Sequence, residues 1–232
     1  MKRALILYNV RAGHAKIAKR LDAIEDVFID GGYSPQPKLV EFGRNPFDGA
    51  DAATLDLVVV CGGDGTLNYA VNAMKERGLD IPIGVIPAGT ANDFAGAIGM
   101  KKDVVRAARQ IVGGEVEPID CGCVNGLYFV NVFSFGLFTT TSQHTPDAIK
   151  HKIGKAAYLI EGQKELHRRE FIPLHVRHDG GELDIRSLIT LVFNGETAGR
   201  FRLARNASVR DGLFDLLMLD KLSLIHISEP TR

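Results

Sequence analysis

The chain of 232 residues has no tryptophan, only three cysteines, and no excess of either charge, with 28 basic and 28 acidic side chains. It also has no apolar run near the roughly 20 residues that a membrane-spanning helix needs. Each shortage excludes something. Balanced charge removes any bulk attraction to nucleic acid or to an anionic membrane, so no nucleic-acid partner is expected. Three cysteines without paired spacing fit a reducing, cytoplasmic setting better than a disulfide scaffold. Cys121-Gly-Cys123 is too short a unit to hold a metal without distant partners, and the cysteines read as core residues. Seven histidines are scattered along the chain. No pair of them shows carboxylate support, so no metal site is expected there. The opening Met1-Lys-Arg-Ala-Leu-Ile-Leu7 has basic residues but a brief apolar run, which reads as a strand and not a signal peptide.

What the sequence does have is a pair of apolar strands running into glycine-rich loops. Leu57-Val-Val-Val60 is a β-branched run of the kind buried on both faces of a parallel sheet. It leads into Gly62-Gly63-Asp64-Gly65-Thr66, and a helical pattern follows through Leu67, Val71 and Met74. Such a turn lets backbone N–H groups converge on phosphate oxygens, an approach that side chains would block. A carboxylate repels phosphate, so Asp64 points to a Mg²⁺ or a hydroxyl that must be oriented. The local alternative is a plain tight turn closed by an Asx hydrogen bond. The second stretch, Ile81-Pro-Ile-Gly-Val-Ile86, runs into Pro87-Ala-Gly-Thr-Ala-Asn-Asp93.

The flanking segments set these loops in a fold. Residues 4–8 read as a first strand ending at Asn9. A helical stripe follows over 15–29, with Ile17, Ala18, Leu21, Ile24, Val27 and Phe28, and Gly31-Gly32 stops it. Leu39-Val-Glu-Phe42 is the expected second strand. Strand and helix in alternation argue a parallel sheet with helices on its faces, with ligands at the carboxyl ends of the strands. Asn9, Asp64 and Asn92 all follow predicted strands and are expected to cluster at one rim. Further helices are predicted from Asp93 and over 104–112. From Glu115 the texture changes to strands without regular helices between them, over 116–124, 127–135, 171–177 and 183–193, with Asn125-Gly126 as a hairpin turn. A helix over 151–166 interrupts them. Its neighbourhood carries Lys150, Lys152 and Lys155, which suit either anionic headgroups or a solvated face. The expected fold class is α/β plus mainly β. A three-layer, parallel-sheet, nucleotide-binding domain over 1–115 precedes an antiparallel, β-sandwich-like domain over 116–221.

The Gly-Gly-Asp-Gly-Thr and Pro-x-Gly-Thr-x-Asn-Asp elements, in this order and spacing, closely resemble the catalytic domain of diacylglycerol kinases, specifically the soluble bacterial lipid kinases. The first element alone is shared with NAD kinases and phosphofructokinases; the pair is far more specific. The resemblance spans residues 5 to about 219. It implies ATP as phosphate donor with Mg²⁺, a lipid substrate at the membrane surface reached by peripheral contact, and a homodimer as a candidate assembly. It also implies roles. Asn9 and Gly13 match a nucleotide-contacting Asn-Pro-x-[Ser/Ala]-Gly element, with Val10 in place of Pro. Gly62, Gly63, Gly65 and Gly89 would cradle phosphate, Thr66 and Asn68 would line a helix N-terminus, and Thr90 and Asn92 would shape the facing loop. Asp64 is the implied catalytic residue, organising the Mg²⁺ and phosphate end. Asp211, Gly212 and Asp215 match a family stretch that holds a structural Mg²⁺, although Arg210 stands where Asp or Asn is usual. Tyr69 replaces a usual Glu. Phe133, Phe135, Leu137 and Phe138 are candidates for an acyl-chain cleft or for core.

Three functions stay open on sequence: a kinase of diacylglycerol or a related lipid, a kinase of a soluble acceptor such as NAD, and a nucleotide-binding protein without turnover. The last stretch, residues 222–232, resembles the translation of a sequencing-library adapter and is set aside as non-native. The family pattern continues beyond it with further strands and an acidic element that supplies the acceptor's base. The chain is therefore expected to be truncated, its second domain incomplete, and to bind ATP without turning it over.

Overall fold

The computed structural model describes residues 1–9, 17–136 and 171–220. Two compact units divide the chain, one of Met1–Asn131 with Asn194–Leu213, the other of Val132–Phe193 with the residues from Phe214 onward. Gly13, the 151–166 segment, Leu137, Phe138 and the 222–232 tail lie outside the described residues.

The first unit is built on four strands, β1 (Lys2–Tyr8), β2 (Tyr33–Leu39), β3 (Leu57–Gly62) and β4 (Ile83–Pro87). They form a parallel sheet in the order β2-β1-β3-β4. The connection from β1 runs to β2 at one edge and that from β3 runs to β4 at the other, so β1 and β3 flank the topological switch point, where open parallel sheets bind ligands. Tyr8 is in register with Cys61, which places the carboxyl ends of these two strands side by side.

Alternation along the strands sorts the core into two layers. Leu5, Leu7, Val58 and Val60 pack against α2 (Asp64–Glu76) and α3 (Asp93–Ala97), through Leu67, Val71, Met74 and Phe94. Ala4, Ile6, Val59 and Ile86 face the other way, onto α1 (Leu21–Asp30) and α4 (Val104–Val112), through Ile24, Phe28, Ala107 and Ala108. Every residue of β3 is buried, and each such aliphatic side chain contributes about 1.5–3 kcal/mol over its exposed state. That explains the unbroken apolar run. Cys61 shares this burial, which pushes its thiol up to about 12. Cys121 is only half-buried and Cys123 is exposed, so the expectation of core cysteines fits Cys61 alone.

Two local expectations need correction. The second strand is 33–39, not 39–42. Pro35 and Pro37 disguise it, and they are tolerated because β2 is the sheet edge, pairing only with β1. The first helix begins at Leu21, after a 3₁₀ turn at Ala18–Arg20. By contrast α4 has the predicted bounds. Its N-cap is Asp103, whose carboxylate accepts the Arg106 N–H at 3.0 Å.

The first unit also takes in β-structure that the sequence placed beyond residue 115. Hairpin β5 (Gly122–Val124) and β6 (Leu127–Phe129) turns through Asn125 and Gly126, both at positive φ, as a two-residue hairpin of this composition should. Residues 194–213 are tied back to the same unit. Asn194 is fully buried and donates its amide to the carbonyls of Asp120 and Val130 at 2.8 and 2.7 Å. The Asp120 N–H meets the Val209 carbonyl at 2.9 Å, and the Asp120 carboxylate accepts the Gly212 N–H at 2.8 Å. Within this segment β11 (Thr197–Ala198) and β12 (Phe201–Arg202) form a hairpin whose turn, Gly199-Arg200, has φ of 58° and 70°.

The second unit is antiparallel. Strands β7 (Val132–Gly136), β10 (Ile189–Phe193) and β13 (Asp215–Leu219) form a sheet in the order β13-β10-β7. Strands β8 (Ile172–His178) and β9 (Gly181–Ser187) make a separate hairpin. The single strand expected over 183–193 thus divides between β9 and β10 at the buried Leu188. His175, on its own and not as one of a pair, has carboxylate neighbours: Asp184 at 2.8 Å across the hairpin and Glu182 at 3.4 Å. All three are exposed side chains on a two-stranded ribbon, a surface arrangement.

Candidate nucleotide site

The site lies where β1, β3 and β4 end. Asn9 follows β1 and is buried; its amide donates to the buried Thr66 hydroxyl at 3.1 Å. Thr66 belongs to the first turn of α2, so this bond joins the β1 end to the helix that β3 feeds. Both the Thr66 and Leu67 N–H groups turn back to the Gly63 carbonyl at 3.0 Å. The N–H groups of Asp64 and Gly65, at the very start of the helix, have no intrahelical acceptor and are left for a group from outside. Together with the positive end of a 13-residue helix they favour an anion.

The four predicted glycines have different reasons to be glycine. A Cβ on Gly62 would stand 2.6 Å from the Thr66 Cβ. One on Gly63 would stand 3.0 Å from the Gly89 Cα, and one on Gly89 would overlap the Gly63 Cα. These two loops touch backbone to backbone, and none of the four glycines has a positive φ. A positive φ is therefore not what requires glycine here: Gly62 makes room for the Thr66 side chain of its own loop, and Gly63 and Gly89 for each other's backbone. Gly65 differs. It is exposed, and a Cβ there would meet nothing within 4 Å. The space beside it is free for a ligand.

Two carboxylates then lock the loops in sequence. Asp64 accepts the N–H groups of Asp93 and Phe94, at 3.2 and 3.0 Å, and so caps α3 from the opposite loop. Asp93, itself buried, accepts the N–H groups of Gly199 and Arg200 at 2.6 and 2.9 Å and holds the β11–β12 turn. The Arg200 guanidinium reaches back to the Thr90 carbonyl. Asn92 sits in the left-handed region (φ 55°, ψ 44°), which asparagine tolerates. Its side chain closes on Gly89, accepting the N–H at 2.7 Å and donating to the carbonyl at 2.9 Å. Asn92 is thus a loop former, and Thr90 is exposed at the loop's tip.

The structure brings together Asn9, Gly62, Gly63, Asp64, Thr66, Gly89 and Asn92. Asn68 lies one turn into α2, where its carbonyl accepts from Asn72. Sequence reading passed over Asp93 and Arg200. Asp93 was visible as the last residue of the second motif; Arg200 carried no local signal. Tyr69 also gains an account. Its hydroxyl accepts the Gly43 N–H at 2.9 Å and donates to the Arg44 carbonyl at 2.8 Å, pinning the loop after β2, with the Phe42 ring packed at a tilt beside it.

The metal residues fare differently. The Asp211 carboxylate accepts the N–H of Leu213 at 3.0 Å and closes its own turn. Asp215 opens β13 in the second unit. Arg210 is paired with Glu117. Among the described residues no three His, Cys, Asp or Glu side chains converge as a metal site.

A parallel sheet whose switch point carries two interlocked loops, one opening a helix N-terminus, defines the class: an α/β domain of the nucleotide-binding type. The model of the diacylglycerol kinase catalytic domain matches residues 3–124. A diacylglycerol kinase of Bacillus subtilis is 34% identical over 229 residues, 97% of this chain and 76% of the relative. One from Staphylococcus epidermidis is 32% identical over 233 residues, 97% of this chain and 73% of that protein. A solved diacylglycerol kinase structure from Bacillus anthracis superposes with a TM-score of 0.72 at 23% identity, covering 97% of this chain and 76% of the other. The chain belongs to the diacylglycerol kinase catalytic domain family.

Proposed function

We propose that this domain binds MgATP at the two interlocked loops and that, in the full-length protein, the γ-phosphate passes to a hydroxyl of diacylglycerol or a related lipid. The observation that carries the nucleotide part is Gly65. It stands exposed at the start of α2, with open space above it and helix N–H groups left for an outside acceptor. The lipid part rests on the names of the relatives. The chain's own residues act by positioning. Asn9 and Thr66 fix the helix start, Asn92 shapes the facing loop, and Asp64 holds that loop by the Asp93 and Phe94 N–H groups. The cation is proposed to arrive on the phosphates, since no described cluster offers it a full set of ligands. In phosphoryl transfer it neutralises developing charge.

The test has two arms. Calorimetric titration of the chain with ATP and Mg²⁺ is expected to show saturable binding; none would overturn the kinase reading. Incubation of the full-length protein with labelled ATP and a lipid extract, resolved on thin-layer plates, names the acceptor. A labelled phospholipid supports the lipid assignment, and label transferred to added NAD would replace it with the soluble-acceptor reading. No helix among the described residues is long and apolar enough to cross a membrane, and access to the lipid is proposed to be peripheral.

A further inference from the structure

In a chain whose charges cancel, residues 199–210 hold four arginines and no acidic residue. Arg202 is paired with Glu196 at 2.5 Å and Arg210 with Glu117, while Arg200 and Arg205 are exposed. Between the arginines, Phe201 and Leu203 stand 63% and 46% exposed. Phe201 is the first residue after the hairpin turn, opposite the small Ala198, where little protein is available to cover it. Exposed apolar groups alternating with arginines, without acidic residues between, are the composition of segments that lie in a membrane interface.

We infer that the β11–β12 hairpin, with the residues that follow it to Arg205, is the docking surface for an anionic bilayer. A bilayer offers what this stretch needs in one plane: an apolar layer for Phe201 and Leu203 and phosphate groups for the guanidinium groups. Its position gives the docking a purpose, and this part rests on the lipid-acceptor reading above. Asp93 holds the turn by the Gly199 and Arg200 N–H groups, and Arg200 reaches the Thr90 carbonyl, so a bilayer at the hairpin lies next to the nucleotide loops. The substrate lipid and the phosphate donor then meet without a spanning segment.

The experiment is flotation of the whole chain with vesicles of phosphatidylcholine alone or mixed with phosphatidylglycerol. The chain is expected to float with the anionic vesicles at low salt, to stay behind with the neutral ones, and to be released at high salt. Arg202→Gln with Arg205→Gln is expected to weaken partitioning about fivefold per arginine removed. Phe201→Ser with Leu203→Ser is expected to weaken it at least as much, and Arg205→Lys to leave it unchanged. Melting temperature and MgATP titration accompany each variant, so that loss of fold is not read as loss of docking. Parent-like flotation of both double variants would overturn the inference. So would a parent that ignores anionic vesicles, or one that floats equally with neutral vesicles. A parent that floats as expected but binds no ATP would overturn the kinase reading while leaving the docking surface in place.

Discussion

The loop after β3 and the loop after β4 reach the same rim by different means. In the first, stiffness comes from missing side chains. Gly62 leaves room for Thr66, and Gly63 lets its backbone lie against Gly89. In the second, side chains supply it. Asn92 closes a ring on Gly89 from a left-handed backbone, and Asp93 reaches away to hold a hairpin turn. Asp64 is the bolt between them. The contrast separates two meanings of a glycine in a phosphate loop: most of these glycines serve the protein's own packing, and only Gly65 faces open space.

Breaking the backbone contact is expected to have the largest effect on ATP binding. Gly89→Ala forces a methyl group onto the Gly63 Cα, and backbone atoms cannot step aside as a side-chain end can. Overpacking of this kind costs about 1–3 kcal/mol, and the loops must part, so ATP binding is expected to be lost as well. Urea denaturation and calorimetry on the same preparation check both.

Asp93→Ala comes next. It leaves the Gly199 and Arg200 N–H groups without their carboxylate, and bonds to a charged acceptor contribute about 1.5–3 kcal/mol each. Denaturation should show a loss of at least one such bond, roughly 1.5–3 kcal/mol, with hydrogen exchange rising at 197–202 first.

Asp64→Asn is a gentler cut. The amide keeps an acceptor for one N–H but presents a donor to the other, a cost of about 1–2 kcal/mol. In the full-length protein ATP affinity is expected to stay within about tenfold while phosphoryl transfer is abolished, because the charge is needed in the transition state more than in the ground state. Retained transfer would remove the catalytic role proposed for Asp64.

A control lies away from both loops. The Arg106 N–H bond, helped by Arg20, holds the Asp103 carboxyl below its usual range at the α4 N-cap. A depressed carboxyl stabilises the fold above its unfolded value, near about pH 4. That contribution is lost as pH falls through the folded value. The melting difference between parent and Asp103→Ala should therefore be constant at neutral pH and shrink in acid, with ATP binding unaltered throughout.

Much of this was legible in sequence, and unevenly. Strand β3, helix α4 and the Asn125-Gly126 hairpin could be read because burial on both faces, helical periodicity and a two-residue turn each leave a local signature. Edge strand β2 could not, because Pro35 and Pro37 argue against a strand until its place at the sheet edge is known. The site followed the same rule. Asn9, Asp64 and Asn92 announced themselves by following strands. Asp93 and its partners Gly199 and Arg200 are separated by 106 and 107 residues, a distance over which no spacing rule operates. Likewise the return of 194–213 to the first unit depends on Asn194, whose sequence neighbourhood looks like any other strand end.

The central claim, that an ATP phosphate lies over the start of α2, is tested most directly by titrating MgATP into Gly65→Ala. This methyl group meets no protein atom within 4 Å and sits in a helical turn, where alanine is the better residue. Melting temperature should be unchanged or raised. Affinity should nevertheless fall by about tenfold or more, the effect of roughly 1.4 kcal/mol of steric conflict with the ligand. An affinity equal to that of the parent, in a variant that folds as well, would contradict the account.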